Sequence, residues 1–261
     1  MPGNKSSCPE GLAYFCMSTI EHHLESQRSS GEPGQQAKPR LRDFMDTSPG
    51  GVGGASFDLK QESPLFVTWN KRSYAYTHED APGPENAVAQ EHDNEQEDGD
   101  DEEEDEEDVS LRGCIGTFTA LPLEKGLREY AITSAFRDTR FRPVKAEELP
   151  FLQCGVSLLT PMTPAPNPLA WTLGTHGIHI TFHHSSRRYS GTYLPEVPPA
   201  QGWTKEETIL SLIRKAGYRG KVNTGDDQDE VWGGIRLQIY ESRKVKRNWA
   251  QFERWKAENE K

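Results

Sequence analysis

The run Leu111-Arg112-Gly113-Cys114-Ile115-Gly116-Thr117-Phe118 sets two glycines, a cysteine and an arginine inside what otherwise reads as a buried strand. Glycine weakens a strand unless another backbone or a ligand must come close, so this chain must fold with something packed tightly against the run. In an extended segment Arg112, Cys114, Gly116 and Phe118 share one face, and Leu111, Gly113, Ile115 and Thr117 the other. A guanidinium beside a thiol favours the thiolate, which makes Cys114 the first candidate for chemistry, with Arg112 as its activator.

The rest of the chain supplies partners for that strand. Pro64 to Trp69 is a short apolar run with aromatic and β-branched residues, expected to pair with 109 to 118 as a hairpin. Their connection is enlarged by an acidic tract, which costs little closure entropy. Upstream, Ser7 and Glu10 stand at capping-box spacing, and Leu12, Phe15, Cys16, Ile20 and Leu24 follow with helical periodicity, predicting an amphipathic helix over 8–27. Cys8 and Cys16 then read as packing residues. Residues 29–63, rich in Gly, Ser, Pro and Gln, read as a flexible linker.

After the central strand, Pro122 opens a helix with Leu123, Leu127, Tyr130 and Ala131 on one stripe, closed by the charged run Arg137 to Pro143. Cys154, Val156 and Leu158 alternate in a strand, with Cys154 toward the core. Trp171 to Gly177 reads as a strand entering a turn. Ile178, Ile180 and Phe182 form the apolar face of the next strand, and a hairpin through His184 to Arg188 returns as 189–194. Thr204 and Glu207 form a second capping box before a helix. Ile235, Leu237 and Ile239 mark a last strand, and 244–261, with Trp249, Phe252 and Trp255 at spacings of three, reads as a helix docked by its aromatics. Strands and helices mix without strict alternation, so the class is α+β, with a mixed or antiparallel sheet flanked by helices.

Charge must be read by segment. The formal charge is -11, but residues 79–108 hold 17 of the 41 acids and no Lys or Arg, which leaves 24 acids against 30 bases and a formal +6 elsewhere. The tract cannot bury enough surface to fold, so 77–108 is expected to be a disordered acidic insertion. It reads first as a solvating spacer, and otherwise as a site for basic protein partners such as histones or as a metal sponge. One domain is expected from 1–76 with 109–261. Four cysteines without a paired spacing point to a reducing compartment. No apolar run suits a signal peptide or membrane span. The chain is expected in the cytoplasm or nucleus, the run Arg243 to Arg247 being either a nuclear or phosphate-contacting patch or simply a solvated basic end. His176, His179 and His183 lack the spacing of a metal site and read as a solvated sheet face, with His176 set apart in a turn. No cofactor motif is present.

The stretches Pro64 to Trp69, Leu111 to Phe118, Gly126 to Tyr130, Leu149 to Thr160, Trp171 to Phe182, Thr192 to Val197 and Gly202 to Gly217 together resemble the AMMECR-domain proteins, named for the Alport syndrome, mental retardation, midface hypoplasia and elliptocytosis chromosomal region. The resemblance implies an α+β domain of a larger and a smaller subdomain, with the signature residues lining a cleft between them. It also implies likeness to a fold group that includes nucleotide-, nucleic-acid- and peptide-binding modules. Prokaryotic relatives occur beside Memo-like and radical-SAM proteins, which hints at a modification pathway. No settled activity attaches to the family. The acidic insertion and the long linker depart from its usual short connections.

Three functions stay open. As a binding module, the cleft takes an anionic small molecule, RNA or peptide through Arg112, Arg128 and Arg140, with Asp138 beside them. Gly113 and Gly116 then admit a close approach, and Thr117, Ser134 and Tyr193 orient the ligand. As a cysteine-dependent enzyme, Cys114 is the nucleophile, His176 the general base, and Glu129 its orienting group or acid. As an interaction scaffold, Arg112 forms a buried ion pair with Glu129 and the glycines relieve packing. An exposed Cys114 favours the first two, burial behind Phe118 or Leu127 favours the third, and His176 near Cys114 favours the enzyme.

Overall fold

A computed structural model of the chain describes residues 9–28, 37–45, 58–76 and 109–259. Cys8, the Ser7 cap and the acidic tract 79–108 lie outside the described residues. The helices are α1 (Gly11–Arg28), α2 (Leu123–Phe136), α3 (Val197–Ala200), α4 (Lys205–Lys215) and α5 (Trp249–Asn259). The strands are β1 (Glu62–Arg72), β2 (Val109–Pro122), β3 (Leu152–Leu159), β4 (Thr163–Pro164), β5 (Gly177–His184), β6 (Arg187–Tyr193), β7 (Arg236–Tyr240) and β8 (Ser242–Asn248). One four-stranded sheet has the order β2-β1-β3-β8 and another the order β4-β7-β5-β6. The class is α+β. The chain divides into two compact units, one of residues 1–157 with 244–261 and one of 158–243.

In the first unit β1 and β2 pair antiparallel, with Trp69 opposite Gly113, Thr68 opposite Cys114 and Val67 opposite Ile115. Leu65, Val67 and Trp69 are fully buried and alternate with half-buried Phe66 and Thr68, the period-2 pattern expected of a sheet packed on helices. Leu127 and Ala131 of α2 are buried too, and the Trp69 indole donates to the Ala131 carbonyl at 3.2 Å. α1 departs from a simple amphipathic helix, because every residue from Gly11 to Met17 is buried. The cover on its outer side comes partly from within the expected linker. Leu41–Phe44 forms a 3-10 turn with Leu41 buried, and the Phe44 ring stacks on Trp255 and meets Phe15 edge-on.

Two expectations fail. Trp171 to His176 is a closed turn, not a strand. The Thr172 N–H donates to the His176 ring and the His176 N–H to the Thr172 carbonyl, so the segment meets its own hydrogen-bonding needs. Nor is the basic run part of the terminal helix. Residues 242–248 form β8, the outer neighbour of β3, with Val245 and Asn248 turned inward and the cations of the run along the sheet edge. Charged side chains on an edge strand discourage pairing with another chain. The terminal helix α5 begins at Trp249 and is held by Trp249 and Phe252 as expected, with Trp255 stacked on Tyr14.

The second unit buries Ile178, Ile180 and Phe182 of β5 against Ile209, Leu212 and Ile213 of α4, with Trp171 and Trp232 in the same core. Thr204 caps α4 as a full capping box, its hydroxyl accepting from the Glu207 N–H at 3.2 Å while its own N–H donates to the Glu207 carboxylate at 2.8 Å. Thr204→Ala should cost about 1 kcal/mol, read as a fall of roughly 2–4 °C in thermal midpoint. A shift under about 0.5 °C would show that the cap contributes little here. Among the described residues no helix is long and apolar enough to cross a membrane.

Candidate functional site

The signature strand carries two irregularities in its pairing with β1. The register shifts between Trp69 and Asn70, where Arg112 has no opposing residue, and again between Ser63 and Leu65, opposite Thr117 to Leu121. Bulges of this kind bend a strand and re-aim its side chains. Between them, Gly113 lets the strand lie against α2. A Cβ there would stand 2.1 Å from the Ser134 carbonyl oxygen. At Gly116 a Cβ would stand 2.3 Å from the Leu65 oxygen and the Phe66 ring. The close approach expected at both glycines is therefore made by the protein's own atoms.

Cys114 is pinned at both backbone groups. Its N–H donates to Asp138 at 2.9 Å and its carbonyl accepts from Arg140 at 3.1 Å. Asp138 is buried and also accepts from the Arg140 guanidinium at 2.9 and 2.7 Å and from the Arg140 N–H at 3.2 Å. The Arg140 hydrogen bond holds the Asp138 carboxyl well below its ordinary range, burial opposes this, and the Cys114 N–H reinforces it. Asp138 in turn raises the Arg140 pKa. The Arg140 side chain stays 54% exposed. The Cys114 thiol is half-buried and lies 3.1 Å from the Thr68 hydroxyl. Gly155 borders the same place, since a Cβ there would meet Thr68 at 3.6 Å and the Lys244 stem at 3.7 Å.

Arg112 faces a different carboxylate from the one expected. Its Nε and one Nη donate to the two oxygens of Glu148, both at 3.0 Å, as a bidentate pair; Glu129 is not its partner. Lys71 donates to Glu148 at 2.9 Å and the Lys145 N–H at 3.0 Å. Burial alone would push the Glu148 carboxyl up, but these bonds outweigh it and bring it from 4.5 down to about 2. The other Arg112 nitrogen, Nη1, is buried without a hydrogen-bond partner among the described residues.

The Ser134 hydroxyl is spent within its helix, donating to the Tyr130 carbonyl at 2.6 Å, and Thr117 accepts from the Thr119 N–H at 3.0 Å. Arg128 binds the Pro39 carbonyl and Glu124 and lies over the Phe15 ring, so it anchors the 37–45 segment. Glu129 is exposed on α2, five residues before Ser134, which is about 7.5 Å along a helix. His176 and Tyr193 belong to the second unit. There the His176 Nδ1 accepts from Thr172, and the Tyr193 hydroxyl lies 3.0 Å from Ser211. Thr68, Lys71 and Glu148 were missed. Thr68 follows from the hairpin register, which the long insertion hides, and Glu148 reads in sequence only as a turn residue.

A family model described as AMMECR1 matches residues 85–245. An uncharacterised protein of Saccharomyces cerevisiae is 31% identical over 97% of this chain and 90% of its own length. Uncharacterised proteins of Arabidopsis thaliana and Schizosaccharomyces pombe are 46% and 48% identical over 54% and 45% of this chain. Those two matches span 65% and 61% of the relatives' own lengths, under two thirds of each. The crystal structure of an uncharacterised protein from Pyrococcus horikoshii shares the fold at a TM-score of 0.57 and 24% identity, covering 91% of this chain and 90% of that one. With more than half its length matched by the family model and nine-tenths of the budding-yeast relative covered, this chain belongs to the AMMECR1 family.

Proposed function

We propose that this chain is a binding module that takes an anionic ligand (a nucleotide, a nucleic acid or an acidic peptide) at the face of β2 carrying Arg112 and Cys114. The observation that carries this reading is Arg112 Nη1, a guanidinium donor buried with no partner among the described residues, two residues along the strand from a half-buried thiol. A buried donor left unpaired costs about 1–3 kcal/mol, which an anionic oxygen arriving there would recover. Nearby charge favours the same ligand, since among the described residues the three cations Lys71, Arg112 and Arg140 are paired with two carboxylates, Asp138 and Glu148. The scaffold reading loses support because Cys114 is neither fully buried nor on the Leu127 side of its strand. The cysteine-enzyme reading keeps the Thr68 contact in its favour, but the His176 ring is already engaged by Thr172.

The test is calorimetric titration of the full chain with ADP, with a single-stranded RNA octamer and with an acidic peptide, each separately. At least one should bind, Arg112→Gln should weaken it about tenfold or more, as loss of a hydrogen bond to a charged group requires, and Cys114→Ser should bind as well as the native chain. The reading falls if none binds, or if folded Arg112→Gln binds unchanged. Binding lost in Cys114→Ser alone would move the case to cysteine chemistry.

A further inference from the structure

The outward face of the second sheet is unused by that reading. Pairing places His179 opposite Thr192 and Gln238, Thr181 opposite Ser190 and Arg236, and His183 opposite Arg188, all on the side away from Ile178, Ile180 and Phe182. None of these outward positions is a carboxylate. Ser190, Arg188 and Arg236 are exposed. The Ser190 hydroxyl lies 2.8 Å from His179 Nε2, and His179 Nδ1 lies 3.2 Å from the Gln238 side-chain oxygen. Ser190 is preceded by Arg187-Arg188-Tyr189, and its strand β6 is the edge of the sheet, already extended.

We propose that Ser190 is a phosphorylation site for a basophilic protein kinase, and that this face of the sheet holds the phosphate it gains. Kinases choose substrates partly by charge pattern, and arginines two and three residues before a serine match a kinase with an acidic substrate groove. In the reaction the Ser190 oxygen attacks the γ-phosphorus of ATP. The new O–P bond forms as the bond to the β-phosphate oxygen breaks, ADP leaves, and the hydroxyl proton passes to the kinase's base. The product adds roughly -1.5 to -2 of charge and three strong acceptors. Arg188 stands on the same strand face, His179 already touches the hydroxyl, and Arg236 lies across Thr181 at about 10 Å between backbones. That span is within reach of a long side chain and a phosphoserine. The inference is independent of the Cys114 face, which belongs to the first unit.

The test treats the folded full chain with a basophilic serine/threonine kinase and Mg-ATP, and follows the product by peptide mass spectrometry and thermal unfolding. Near-stoichiometric phosphate at Ser190 is expected, absent in Ser190→Ala and slowed at least tenfold by Arg187→Ala with Arg188→Ala. The phosphorylated chain should melt about 2–4 °C higher. Arg236→Gln should accept phosphate at the native rate but lose that gain. Modification of a free 183–195 peptide but not of the folded chain would overturn the proposal. So would phosphate confined to Ser185 or Ser186, or a melting point unchanged or lowered by the modification.

Discussion

Asp138→Ala is expected to destabilise the first unit by about 3 kcal/mol, as loss of a buried hydrogen-bond network requires. The substitution strands the Cys114 N–H and removes the acceptor of the Arg140 side chain. Much of the cost comes from the orphaned N–H, because Arg140 is half exposed and water can recover part of its loss. Asp138→Asn keeps one acceptor oxygen for Cys114 and should cost about half as much. The two carboxylates Asp138 and Glu148 set the response to acid. Asp138 and Glu148 both have depressed folded-state pKa values, so their stabilisation is present above the unfolded carboxylate range and is lost as pH falls through the folded values. The native melting temperature should therefore drop steeply once pH falls below about 4, where ordinary carboxylates titrate, toward the depressed folded values. Asp138→Ala should start lower and fall less. Parallel curves for the two proteins would show that Asp138 carries no charge-linked stability.

Gly113→Ala should cost about 3 kcal/mol, the upper end of what overpacking usually does. The added carbon would stand 2.1 Å from the Ser134 carbonyl oxygen, and a helix backbone cannot swing aside as a side chain can. Gly155→Ala is the matched control in the same sheet. Its nearest neighbour would be 3.6 Å away, an ordinary contact, so it should cost under about 1 kcal/mol. Urea unfolding of both variants separates the outcomes. A Gly113→Ala midpoint close to that of Gly155→Ala would mean α2 can retreat from the strand without cost.

What could be read from sequence follows the range of the forces involved. The β1–β2 hairpin showed through its alternation of Leu65, Val67 and Trp69, and α4 through the Thr204–Glu207 box, because both signals are local. β8 did not show. Its one inward apolar residue, Val245, stands among four cations, and only pairing with β3 makes that run a strand. At the site, Cys114, Asp138 and Arg140 were all candidates, yet nothing local joins a strand residue to a carboxylate 24 positions later. Arg112 called for an acid, and the sequence singled out Glu129, whereas the partner is the half-buried Glu148. The choice falls to the 3-10 turn at Ala146–Phe151, which carries Glu148 to the guanidinium. For His176 the sequence does not show the closed turn in which its ring accepts from the Thr172 N–H.

That division also bears on how the protein is made. β3 and β8 are neighbours in one sheet, yet residues 160–241 lie between them in the chain. As the ribosome moves from Ser157 to Lys244, at roughly 5–20 residues per second, β3 waits for several seconds as an uncovered edge. The inserted unit emerges complete during that interval, whereas the earlier one cannot close its sheet until the last strand arrives. An AMMECR1 chain truncated before Lys244 is therefore expected to aggregate through β3, even with the Cys114 strand and α2 intact.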